Sequence, residues 1–147
     1  MRSHVITGWW KDTGRVEDIL EANRIVLADL KTSIEGTLDK DTVVEGAVRV
    51  GRGTVIERSR LRGPLVIGAG ARIADSYVGP FTALGDQAVL KHCELENSII
   101  LERSRLESLP HRVESSLIGR DVVVIASESR PRAHRLMLGD SSRVELA

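Results

Sequence analysis

Residues 50–73 read VGRGTVIERSRLRGPLVIGAGARI. Val50 is followed by Gly51, and seventeen positions later Ile67 is followed by Gly68. Working outward, the same spacing reaches Leu84-Gly85, Leu101-Glu102 and Ile118-Gly119. A second register holds Ile56, Ile73, Leu90 and Val124 and is broken at Glu107. A third holds Val44, Leu61, Val78 and Leu95 and is broken at Arg112. Within one period the steps are six, five and six residues: Val50 to Ile56, Ile56 to Leu61, Leu61 to Ile67. A fixed period of this kind marks a repeat architecture. Each step accommodates one short strand and a corner, so three steps close a triangular coil. One aliphatic side chain per side points inward and stacks on its equivalent in the next coil, about 4.8 Å away. Five such coils make a column of about 24 Å. The glycines that follow the first register are expected to supply positive φ at a tight corner.

Composition supports stacked strands. Aromatic residues are only 3% of the 147 positions. A core of Val, Ile and Leu is narrow and repetitive, as in a solenoid. Lys and Arg number 21 against 21 Asp and Glu, a balance that argues against a nucleic-acid binder. Cys93 is the single cysteine, so a disulfide framework within the chain is excluded. No apolar run approaches the roughly 18–20 residues of a membrane span, and the opening residues show no signal-peptide core. A cytoplasmic protein is the expectation.

Three regions follow. Residues 1–30 contain a turn and a helix. Thr13 and Gly14 open it, and Glu17 and Asp18 suit its first turn. Val16, Ile19, Leu20, Ala22, Asn23, Val26, Leu27 and Leu30 recur at three- and four-residue steps and form one stripe. Residues 31–125 carry the coils, after a polar connection from Lys31 to Asp41. The repeat degrades between Leu106 and Glu114, where Pro110 cannot donate to a ladder, so a bulge or loop leaves one corner there. Residues 126–147 form a tail. A solenoid end exposes unpaired strand groups; the tail is expected to cap one end and the first helix the other.

The coils resemble the hexapeptide pattern of the left-handed parallel β-helix, found in hexapeptide acyltransferases and some sugar nucleotidyltransferases. The left hand follows from that resemblance alone. Two flanking motifs narrow it. GWWKDTG, Gly8 to Gly14, followed by VEDILEANRIVL, Val16 to Leu27, is similar to the end of the catalytic domain of a glucose-1-phosphate thymidylyltransferase. The ending RPRAHRLMLGDSSRVEL, Arg130 to Leu146, is similar to the C-terminus of long-form members. The resemblance implies a reaction of dTTP with glucose 1-phosphate, giving dTDP-glucose and pyrophosphate with Mg²⁺. It matches Asp12 to a metal-binding aspartate and Trp10 to a residue against the sugar. The Gly-rich phosphate loop, its cationic side chains and the other aspartate are absent from the sequence. Transfer chemistry of this type rests on neutralising a triphosphate, so the chain alone is expected to be inactive. Its expected role is an assembly or regulatory module, a homo-oligomer with a trimer favoured, paired with a nucleotidyltransferase domain.

Blander readings stand beside these. Asp12 also suits a turn that caps the helix, and Trp9 and Trp10 suit packing. His4, His92, His111 and His134 are the available imidazole bases. One of them would serve if the chain were instead a hexapeptide-type acyltransferase. His92 is equivalent to Arg58 and Asp75 and points outward from a corner; His111 falls in the irregular segment. Cys93 is equivalent to Ser59 and Ser76 and reads as a small corner residue. Arg130, Arg132, His134 and Arg135 read as a solvated or ion-paired rim. Two further alternatives are a purely structural trimerisation scaffold and a piece of a longer protein.

Overall fold

Alternation of inward and outward side chains breaks the chain into very short strands. The computed structural model, which describes residues 13–127 and 129–147, places seventeen strands of two or three residues between Ser33 and Ile125. They form three parallel sheets of six, six and five strands. The first side of the column runs from Ser33–Ile34 to Leu117–Ile118, the second from Thr37–Leu38 to Val123–Ile125, the third from Val43–Glu45 to Val113–Glu114. Over the described residues the chain is thus an all-β parallel solenoid of about five turns with one short helix near its N-terminal end, consistent with a left-handed β-helix.

The backbone register refines the period. Val50, Ile67 and Leu84 pair in succession, seventeen residues apart. Leu84 then pairs with Ile100, and Ile100 with Ile118, so Ile100 holds the inward position expected for Leu101. Leu106, not Glu107, lies between Leu90 and Val124 in the second register. Val113, not Arg112, faces Leu95 in the third. The cause is local. Val78 to Leu84 takes six residues but Leu95 to Ile100 takes five, and Leu106 to Val113 takes seven. The extra residues of that last step form the expected loop, and Leu109 folds back from it onto the core.

Val48, Val50, Ile56, Leu61, Leu65, Ile67, Ile73, Val78, Leu90, Leu95, Ile100 and Leu106 are fully buried. Each contributes roughly 1.5–3 kcal/mol by leaving water, and together they fill the axis. Small side chains finish the corners. Ser76 N–H donates to Ser59 Oγ and Cys93 N–H to Ser76 Oγ, both at 3.2 Å. The Cys93 thiol donates to Lys91 O at 3.1 Å, as the Ser76 hydroxyl does to Ala74 O at 2.8 Å. Cys93 is therefore the small corner residue its register implied.

The glycines after the first register have a different cause from the one expected. Gly51, Gly68 and Gly85 do not have positive φ. A Cβ on Gly51 would stand 2.7 Å from Ala69 N and from Gly68 C in the next coil. These glycines permit the close approach of successive backbones. Positive φ falls two residues later, at Gly53 (77°), Gly70 (68°), Gln87 (61°), Arg103 (60°) and Asp121 (57°).

The helix, α1 (Thr13–Ala28), starts early enough that Glu17 and Asp18 lie beyond its first turn. Its packing face is narrower than the apolar stripe. Leu20 and Leu27 are buried, Asn23 Nδ2 donates to Phe81 O at 3.0 Å, and the Arg24 guanidinium lies 4.4 Å from the Phe81 ring centroid. These four positions share one face at i, i+3, i+4 and i+7. Phe81 sits at the corner between the third and first sides, and Thr32 Oγ1 accepts from Val48 N–H at that same corner one coil above the start. The helix therefore runs along a corner instead of covering the column's first coil, where Ile34 stays 40% exposed. The other expected cap also differs. All described residues from Ala126 onward are exposed and form no helix or strand, and Val123 and Ile125 of the last strand stay 59% and 61% exposed. Among the described residues no helix is long and apolar enough to cross a membrane.

Three glycine substitutions separate these backbone effects. Gly51→Ala should destabilise by about 1–3 kcal/mol through overpacking, and Gly53→Ala by about 1–2 kcal/mol through its left-handed backbone. At Gly119 the nearest atom to a new Cβ is 3.9 Å away, so Gly119→Ala should be neutral or stabilise by up to about 1 kcal/mol. Thermal unfolding of the three variants checks the order; equal losses would refute the close-approach account of Gly51.

Candidate functional site

Equivalent positions in successive coils stand one above another, so corner side chains form columns. The corner between the second and third sides carries Arg58, Asp75 and His92, with φ of 46°, 51° and 50°. Arg58 donates to Asp75 from Nε at 2.8 Å and from Nη2 at 3.0 Å. Below it, both Asp39 carboxylate oxygens accept from the Arg58 backbone N–H at 3.1 Å. His92 Nε2 stands 3.8 Å from Asp75 Oδ2, with the imidazole 68% exposed. A shallow open groove beside this corner is lined by Arg60, Tyr77, Glu94 and Leu109 among others.

This column contains the residue types of a general base and its orienter, but not their geometry. A catalytic imidazole needs to donate a hydrogen bond to its orienting carboxylate. At 3.8 Å the His92–Asp75 contact is an ion-pair distance beyond that range, and both Asp75 oxygens already accept from Arg58. His111 and His134 are exposed and lie in the loop and the tail. Cys93 is 3% exposed, and burial pushes its thiol up, away from the thiolate a nucleophile requires.

The remaining charges are arranged in the same way. Arg103 donates twice to Asp121, at 2.7 and 3.0 Å. Arg120 Nε donates to Glu102 at 3.2 Å. Arg112, from the loop, reaches Glu94 at 2.9 Å and Glu96 at 3.1 Å and lies 5.3 Å from the Tyr77 ring centroid. Sequence reading missed these pairs, although opposite charges seventeen or eighteen residues apart were a usable signal once coils were recognised. Trp10 and Asp12, with His4 and Trp9, lie outside the described residues. Among the described residues no group of three or more His, Cys, Asp and Glu is placed to hold a metal ion. Arg130, Arg132, His134 and Arg135 are exposed in the tail.

Relatives give this architecture its setting. The chain is 52% identical over 146 residues to a glucose-1-phosphate thymidylyltransferase of Streptomyces antibioticus, and 45% identical over 147 residues to one of Streptomyces griseus. It is 38% identical over 147 residues to a low-salt glycan biosynthesis nucleotidyltransferase of Haloferax volcanii. These matches cover 98–100% of the chain but 41% of each relative. No protein-family model matches the chain. Fold and sequence together define a β-solenoid module of nucleotidyltransferases. More particularly, the chain corresponds to the C-terminal part of glucose-1-phosphate thymidylyltransferase-like proteins.

The corner pairs carry a pH prediction. The two hydrogen bonds from Arg58 hold the Asp75 carboxyl below the usual carboxylate range, and Arg103 and Arg105 do the same to Asp121 and Glu107. Their pKa values are lower folded than unfolded. Their stabilisation is therefore complete above the unfolded value of about 4 and is lost as pH falls through the folded values. The melting temperature should hold between about pH 5 and pH 8 and fall below about pH 4. Asp75→Asn should shrink that acid loss. An acid limb unchanged in the variant would show that the Arg58–Asp75 pair contributes nothing to it.

Proposed function

We propose that the chain is a non-catalytic assembly or regulatory module of a glucose-1-phosphate thymidylyltransferase-like protein, that it acts in the cytoplasm, and that it associates as a homotrimer. One observation carries this reading: the whole chain aligns with relatives of which it spans only 41%, and its residues 33–125 form an aliphatic column. Transfer of a nucleotidyl group requires preorganised cations around a triphosphate. Here Arg58, Arg103, Arg112 and Arg120 are each engaged by a carboxylate of the same column. Mg²⁺ binds through one or two carboxylates together with substrate phosphates, and Asp12 alone supplies no cradle for those phosphates. The catalytic half, on the same or another chain, provides the chemistry, and the solenoid provides the contact between copies. Closed point-group symmetry is usual for such oligomers.

Light scattering should give three times the 16.1 kDa chain mass, and a monomer at micromolar concentration would overturn the assembly reading. The purified chain should form no dTDP-glucose from dTTP and glucose 1-phosphate with Mg²⁺. Sustained product formation would overturn the non-catalytic reading.

A further inference from the structure

Corners between the second and third sides differ in length. Ile56 to Leu61, Ile73 to Val78 and Leu90 to Leu95 each take five residues, but Leu106 to Val113 takes seven. At this corner Val43 N–H donates to Ser59 O, Arg60 N–H to Ser76 O and Tyr77 N–H to Cys93 O. Among the described residues Glu94 N–H does not continue that series, and pairing resumes at Leu95 and Val113. Residues 108–112, between these points, are held by other means. Ser108 N–H donates to Lys91 O at 2.8 Å. Leu109 packs against the core. Arg112 donates to Glu94 from Nε at 3.2 Å and from Nη2 at 2.9 Å, and to Glu96 from Nη1 at 3.1 Å. Cys93 lies against this segment. Its thiol shares the Lys91 carbonyl with Ser108 N–H and stands 3.1 Å from Leu106 O. Cys93 and Leu109 line the same groove.

We propose that residues 108–112 form a strap that lifts as a unit from the folded column, with Arg112 as its latch and Leu109 as its plug, and that its opening widens the groove and uncovers Cys93. This device is independent of the assembly reading. A segment opens locally where few backbone hydrogen bonds and few buried apolar contacts tie it down. The strap meets that condition, and its ends do not depend on it: Leu106 stays paired with Leu90, and Val113 with Leu95. The five-residue corners at Ser59 and Ser76 lack the slack to do the same, because each is bound into the ladder throughout. Solvent weakens the latch. Arg112 is 43% exposed, against 56% for Glu94 and 42% for Glu96, and such pairs contribute little individually. The closed strap is therefore held by a few contacts that break and re-form without disturbing the aliphatic axis.

The test is the rate at which N-ethylmaleimide, an uncharged reagent, labels the full chain, in which Cys93 is the single thiol. In the native chain the rate should be nearly flat in low urea, because a local opening exposes little surface. Arg112→Glu should raise it about two- to tenfold, and adding Glu94→Arg with Glu96→Arg should bring it back. Leu109→Ala should raise it about tenfold or more. The melting temperature of Arg112→Glu should stay at the native value. A labelling rate that climbs with urea at the slope of equilibrium unfolding would overturn the strap, since only loss of the column would then free the thiol. So would a rate that Arg112→Glu leaves unchanged, or one that rises only in step with a fall in melting temperature.

Discussion

The parallel backbone ladder between coils is the constraint on which the rest depends. Gly51 N–H donates to Ile67 O, Gly68 N–H to Leu84 O, Gly85 N–H to Ile100 O and Leu101 N–H to Ile118 O. Each bond joins equivalent points of adjacent coils, so the ladder forces like positions to stack. Aliphatic positions then make a continuous apolar axis. Corner positions become columns, and a column of one charge would repel itself at a spacing of about 4.8 Å. The sequence alternates signs instead, with Arg58 on Asp75, Glu102 on Arg120 and Arg103 on Asp121. The same close approach leaves no room for a Cβ at Gly51 or Gly85, where backbone of the next coil stands 2.7 Å away.

Much of this was legible before any coordinates, because a period is visible wherever the inward residues are aliphatic. The coil, the three registers, the loop at Pro110 and the role of Cys93 all followed from it. The register slip at Ile100 did not. Ile99, Ile100 and Leu101 are three aliphatics in a row, so hydrophobicity alone cannot say which one faces inward. The shortened step is detectable only from its consequences, Ser98 and Ser104 buried with Leu106 between Leu90 and Val124. Counting on at seventeen made Glu107 and Arg112 look like breaks when the chain had lost one residue at one corner and gained two at another.

The packing face of the helix was not legible for a different reason. The apolar stripe on α1 is wide enough for two faces, and the sequence does not state which face meets the column. The corner chooses. Between the third and first sides the step is six residues after Leu61 and after Val78, but five after Leu95 and after Val113. The longer corners include Gly63-Pro64 and Gly79-Pro80, and the helix contacts Phe81 beside the second of these. Leu20 and Leu27 are thereby buried, and Ile25 and Val26 turned outward.

A division of labour along the chain follows from where charge is satisfied. On the column most arginines of the corners and the loop face a carboxylate held at fixed height by the ladder, and such exposed pairs contribute little individually. Their effect is to neutralise Arg58, Arg103, Arg112 and Arg120 where coils stack. Outside the ladder, acids surround an apolar patch on α1 and arginines precede an apolar run in the tail. A solenoid cannot adjust its own repeat to match these surfaces without breaking register. The elements that are free of the ladder are therefore the ones able to carry recognition, while the ladder holds their points of departure in place.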